Sequence, residues 1–165
     1  MEQAKFFYDE TNKHKQSVMK KVAHIQTGLA IRAATHDNSK FSELEANLFI
    51  EMTPKLKNST YGSEEYKQFL KDLKPALDHH YKNNRHHPEY HKEGIKGMSL
   101  VDLIEMICDW LAATERHADG NIFKSIEINQ GRFNYSDELK QIFINTIKND
   151  FDITDEVERC QDQLE

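Results

Sequence analysis

Glycine, proline and cysteine are scarce in this sequence. Six Gly and three Pro among 165 residues leave few places to break a helix and argue against a many-turned β-fold. The two cysteines, Cys108 and Cys160, lie far apart and form no CxxC pair. That argues against a zinc-finger framework and for a reduced, cytosolic compartment. No apolar run approaches the length of a membrane span, and Met1 to Phe7 lacks a signal peptide's apolar core. The expectation is a soluble cytoplasmic protein with no membrane partner. A surplus of cations is missing too. A net charge of -6 speaks against dedicated DNA or RNA binding, which needs cations to displace counterions from phosphates. It leaves a nucleotide substrate open, because bound metal ions would reverse the local field.

What is present is charge, apolar periodicity and histidine. Charged residues make up 30% and hydrophobic ones 38%, a globular balance, and a chain of this length buries about 70% of its unfolded surface. There are nine histidines. His79, His80, His86, His87 and His91 crowd into one short stretch.

The periodicity predicts helices throughout. The first covers roughly Ala4 to Ala34, where Phe7, His14, Val18, Val22, Ile25 and Leu29 recur at three- and four-residue steps; Gly28 could loosen or kink it. Ser42 and Glu45 form a capping box that opens a helix through Met52, stopping before Pro54. Lys55 to Gly62 reads as a loop. Ser63 caps a third helix to about Asn84, with Phe69, Leu73, Ala76 and His80 on one face. Asn83 to Gly97 is a loop. Ser99 caps a fourth helix through about His117, apolar almost all round and therefore central and buried. A short helix after Gly120, a turn at Gly131 to Tyr135, a helix from Ser136 to Lys148 and an amphipathic piece after Thr154 complete the chain. The fold class is all-α, a bundle of six to seven helices, with residues 1–120 as the metal-binding core and residues 121–165 as a helical extension packed on it.

Three groups of residues could carry chemistry. His36 and Asp37, with Lys40 one turn on, put an imidazole and a carboxylate at the end of a helix. Borderline metals accept such donors, and a lysine offers a point charge to phosphate. The competing reading has Asp37 capping a turn and His36 on the surface. Asp109 lies on the most apolar helix in an acidic stripe with Asp102 and Glu105. A buried carboxylate needs a partner, either a metal or Arg116 two turns on. His80 continues the apolar face of its helix and points inward. His79 falls on the rim, His86 and His87 sit in a loop that Pro88 stiffens, and His91 is solvated. Neutral imidazoles need acceptors to fix their tautomer, and Glu89, Glu105 and Asp102 could supply them.

In chain order the candidates read His, His-Asp, His, His-His, Asp. That order resembles the HD superfamily of metal-dependent phosphohydrolases, all-helical enzymes named for a His-Asp doublet. His36-Asp-Asn-Ser-Lys-Phe-Ser, His80-Tyr-Lys-Asn-Asn-Arg-His-His-Pro-Glu-Tyr and Glu105-Met-Ile-Cys-Asp-Trp look closest to an uncharacterised HD-like family of phages and bacteria. The likeness spans roughly Tyr8 to Trp110. It implies an HD-like helical bundle holding one or two divalent ions, with Mn, Fe, Zn, Ni and Mg not distinguished. For a phage-encoded chain the compartment is the host cytoplasm. His14 matches the first HD ligand by position. One unbroken helix would set it about 33 Å from His36, however, so His14 is left out of the ligand set; His24 is nearer but falls on the opposite face from Val22 and Ile25, and is left out too. The third helix's histidines or Glu45 are expected to fill the vacancy.

The resulting expectation is hydrolysis of a nucleotide or related small phosphoester. His36, Asp37, His80, His86, His87 and Asp109 would be metal ligands. Asp37, Lys40 and Glu105 would be catalytic, with Glu45 as an alternative proton acceptor, and Lys40, Arg85 and Arg116 would steady the substrate's charge. An HD-like di-iron oxygenase could use the same donors. A non-catalytic, metal-stabilised binding or inhibitory protein is the third reading, and a homodimer is compatible with each.

Overall fold

The computed structural model describes residues 1–58, 63–116 and 120–154, apart from the side chains at 56, 57 and 66. The protein is all-α, with no strand among the described residues. Its helices are α1 (Glu2–Thr35), α2 (Glu43–Asn58), α3 (Glu64–Asn83), α4 (Leu100–Thr114), α5 (Ile122–Phe133) and α6 (Asp137–Asp150), with three short 3-10 turns between them. Contacts divide the chain into two compact units, Met1–Asn84 and Arg85–Glu165; the sequence reading had set its boundary at residue 120.

In the first unit α2 and α3 pack along each other. Met52, Leu73 and Ala76 form a small buried core, with Leu48, Phe49, Phe69 and Leu77 packed against it. The predicted face of α3 is the buried one. Pro54 does not end α2 as the sequence suggested, because the helix runs on to Asn58. A proline inside a helix forfeits one backbone hydrogen bond. Here Pro54 is exposed, so water can satisfy the freed carbonyl while Met52 anchors the turn. Pro75 is likewise tolerated inside α3 on an exposed position. The long helix α1 passes through Gly28 without a break and buries no residue.

The second unit has the larger core. Met106, Ile107, Leu111, Ile122, Ile126, Tyr135, Phe143 and Ile147 are buried together, and α4, α5 and α6 pack in sequence order. Trp110 stacks on Phe133 at 6.2 Å between ring centres and meets Phe143 edge-on at 6.0 Å. The α4 helix is not buried all round, as its composition had suggested. Leu100, Ile104 and Cys108 are exposed, and only the face carrying Asp102, Met106, Ile107 and Leu111 is covered. It ends at Thr114, earlier than expected. The expected turn from Gly131 is displaced, since α5 continues to Phe133 and Asn134 closes it in the left-handed region at φ 51°. Ser99 caps α4 as its position predicts, and Ser136, read as the first residue of its helix, is the N-cap of α6. The amphipathic piece expected after Thr154 lies outside the described residues except for Thr154 itself.

Candidate metal centre

The first unit gathers its donors where α1 stops. Thr35 turns its hydroxyl back onto the Ile31 carbonyl at 3.0 Å. His36 then leaves helical geometry at ψ 131°, and Asp37 takes the left-handed conformation at φ 57°. Aspartate tolerates that region better than most residues because its short side chain bonds locally. The reversal turns the Asp37 carboxylate back toward its neighbours. Oδ2 accepts from Lys40 Nζ at 2.6 Å and lies 3.5 Å from His36 Nε2, while Oδ1 lies 3.2 Å from His80 Nε2. Burial alone would push the Asp37 carboxyl's pKa up. Hydrogen bonds from His80 and Lys40 and the charges of Lys40 and His36 outweigh burial and hold it well below the usual carboxylate range.

His80 is held from behind. Its Nδ1 faces Glu45 Oε2 at 2.9 Å, and His79 Nδ1 faces Oε1 of the same carboxylate at 2.6 Å. Glu45 is fully buried. Burial would raise its pKa, but His79, Ser39 and His80 bring it below the ordinary value. An ionised carboxylate only accepts, so each Nδ1 carries a proton and donates. That holds the His80 ring with Nε2 facing Asp37. Ser39 Oγ sits 3.1 Å from the same Nδ1 and accepts from Asn84 Nδ2 at 2.7 Å, which closes a buried polar net around the ring.

Glu45 therefore leaves the predicted capping box half-made. Its backbone N–H reaches Ser42 Oγ at 3.4 Å, but its carboxylate goes to the two histidines rather than back to the helix start. Glu45 was expected among the residues that would fill the first-ligand vacancy; it serves the donors instead of being one. Its orienting role, together with those of Ser39 and Asn84, was not read from the sequence. One signal was available for Asn84, which stands four residues after His80, just past the end of α3.

The second unit repeats the device. His86 is buried, and its Nδ1 faces Glu105 Oε1 at 3.2 Å. Its ring lies 4.1 Å from that of His87, centre to centre. One nitrogen from each falls within 4.8 Å of the other, close enough for two donors on one cation. Asp109 is half-buried one turn beyond Glu105 on α4. Asp102 is fully buried but structural. It accepts from the Ser99 backbone and hydroxyl, both at 2.8 Å, and from Arg85 Nε and Nη2 at 3.2 and 3.3 Å. Arg85 thus places its guanidinium on Asp102. Arg116 is exposed just past α4. His91, expected in solvent, instead donates Nε2–H to the Arg85 carbonyl at 2.9 Å. Gly97 makes room for it, since a Cβ there would stand 3.0 Å from the His91 Cβ.

His14 and His24 are both exposed in the unbroken α1. No helix among the described residues is long and apolar enough to cross a membrane. Partial burial and then the nearby Glu105 push the Cys108 thiol up, although the residue as a whole is exposed.

Residues 3–149 match the family described as "Family of unknown function (DUF5662)". No curated protein matches the chain, and no solved structure does.

Proposed function

For a chain that belongs to the DUF5662 family, whose function is unknown, we propose metal-dependent hydrolysis of a small phosphoester, nucleotide-like and cytoplasmic, by a protein resembling the HD phosphohydrolases. The observation that carries this reading is the His80 ring between two carboxylates. Glu45 takes its Nδ1 proton, and its Nε2 stands 3.2 Å from Asp37 Oδ1. Histidines that ligate metals characteristically give their other N–H to a carboxylate in this way.

The donor chemistry fits a divalent ion. The candidate ligands of the first unit are His36, Asp37 and His80, and those of the second, taken by itself, are His86, His87 and Asp109. Imidazole and carboxylate together suit manganese, iron, nickel and zinc. When bound, the ion supplies Lewis acidity toward a phosphoryl oxygen and acidifies water. The protein's own residues do the rest. Glu45 and Glu105 hold the His80 and His86 tautomers. Lys40, half-buried against Asp37, brings a compact positive charge for the phosphate. Glu45 is unsuited to take a proton from water, because it is sealed from solvent and already accepts from two imidazoles.

The test is metal analysis together with turnover on a panel of nucleotides and model phosphodiesters with added Mn²⁺. The expected result is bound transition metal and hydrolysis of at least one substrate, with Asp37→Ala losing about a thousandfold or more in rate. Metal binding without turnover on any substrate would assign a metal-stabilised binding protein instead. Activity that survives Asp37→Ala would overturn the mechanism.

A further inference from the structure

Most of α1 has no use in the proposed site. Only its last turn, leading into His36, touches that chemistry, yet the helix has 34 residues. By helical rise it is about 50 Å long. Residues 1–27 are all exposed, although the helix carries an ordered apolar stripe. Val18, Ile25, Val22 and Phe7 keep 45, 46, 51 and 64% of their surface in water. Scattered apolar residues on a surface need no explanation, but a row along one helix face, interrupted here only by Thr11 and His14, is the pattern of an association surface.

The row has an internal step. Phe7, Thr11 and His14 are followed eleven residues later by Val18, Val22 and Ile25, and Leu29 begins the next step. Eleven residues make three helical turns with about 20° over, the spacing of helices that pair with a right-handed supercoil. Glu10 and Lys21 are also eleven apart and line the same edge of the stripe.

We propose that this face binds α1 of a second copy of the chain, the two helices running antiparallel about a two-fold axis. Antiparallel overlap sets Phe7, Thr11 and His14 of each copy against Ile25, Val22 and Val18 of the other. The more polar half of each stripe then meets the more apolar half. Charge selects the same direction. The start of α1 carries Glu2, Asp9 and Glu10 against one lysine, Lys5, and its middle carries Lys13, Lys15, Lys20 and Lys21. Antiparallel pairing places Glu10 beside the partner copy's Lys21 and opposes the helix dipoles. Parallel pairing would stack Thr11 on Thr11 and His14 on His14, and would bring the lysine-rich segments side by side. The existing Glu10–Lys13 pair at 2.7 Å is exposed and can exchange partners at little cost. A closed, self-complementary pair of this kind satisfies the symmetry of homodimers.

Sedimentation of the full chain at micromolar concentration reads the result directly. The expected mass is twice 19.4 kDa. Lys21→Glu should weaken the dimer about tenfold, from two like-charge contacts replacing two favourable ones, and adding Glu10→Lys should restore it. Direction is read by cysteine pairing in a chain carrying Cys108→Ser and Cys160→Ser. Phe7→Cys and Ile25→Cys chains should cross-link when mixed and not alone, with circular dichroism confirming that each retains its helix. A monomer throughout the concentration range would overturn the proposal. So would self-linking of Phe7→Cys, or a monomer that instead sediments with anionic vesicles. Metal content and turnover are measured separately, so none of these outcomes bears on the phosphohydrolase reading.

Discussion

The two units solve one problem on unequal foundations. Each buries a histidine and sets a glutamate against its Nδ1, Glu45 for His80 and Glu105 for His86. Yet among the described residues the first unit does so beside a buried core of three, whereas the second has eight. In the first unit the ring is also enclosed by Ser39, Asn84 and Asp37. In the second, Glu105 of α4 stands against the His86 Nδ1 at 3.2 Å. Precise aim of an imidazole thus depends on its hydrogen-bond partner more than on the volume of apolar packing nearby. The apolar core keeps the partner in place.

The comparison can be broken most sharply at the core. Ile126 is fully buried in the second unit, and Ile126→Ala should cost about 2–5 kcal/mol in chemical denaturation. Its effect on metal affinity should be small until the unit unfolds. A loss of metal binding in chains that remain folded would mean that packing aims the ligands after all.

Alkaline pH offers a second probe of the larger core. Tyr135 is buried, its hydroxyl donates to the Ile126 carbonyl, and burial pushes its pKa up to about 12 from 10.0. The folded state therefore holds the proton more tightly than the unfolded chain. This contribution is whole below pH 10 and is lost as the pH rises from about 10 to about 12, roughly 2–3 kcal/mol in all. Tyr135→Phe should remove that step from a plot of stability against pH. An unchanged step would place the titration elsewhere.

The shared device is tested by Glu45→Gln beside Glu105→Gln. Each should weaken metal binding about 10- to 100-fold by titration, the usual consequence of losing a carboxylate behind a ligating histidine. Equal effects would mark the two units as equivalent supports. An effect confined to Glu45→Gln would confine the metal to the first unit's donors. The smallest change is expected at Ser136, whose hydroxyl accepts from the Leu139 N–H at the start of α6. Ser136→Ala should lower the melting free energy by about 1 kcal/mol and leave metal affinity untouched.

The predicted helices were legible because apolar spacing and capping residues act locally. Ser99 and Ser136 stand at the N-caps of α4 and α6, and Phe69, Leu73, Ala76 and His80 share the inward face of α3. The inward aim of His80 followed from the same periodicity. Misreadings came where a non-local partner outbid a local rule. Glu45 sits in the right place for a capping box, but two histidines on another helix claim its carboxylate. Pro54 should end a helix, but Met52 anchors the turn in a core that the local sequence does not display. His91 looks like a loop histidine in water until the chain folds back and offers it the Arg85 carbonyl.

Residue spacing alone determined the all-α class, the amphipathic face of α3 and the distance that keeps His14 from His36, because a helix converts position in the chain into angle and length. Tertiary structure alone decided which carboxylates orient rings, which bind arginine and which face a histidine's second nitrogen. Those assignments depend on residues dozens of positions apart meeting within three ångströms or so, and no local pattern encodes such a meeting.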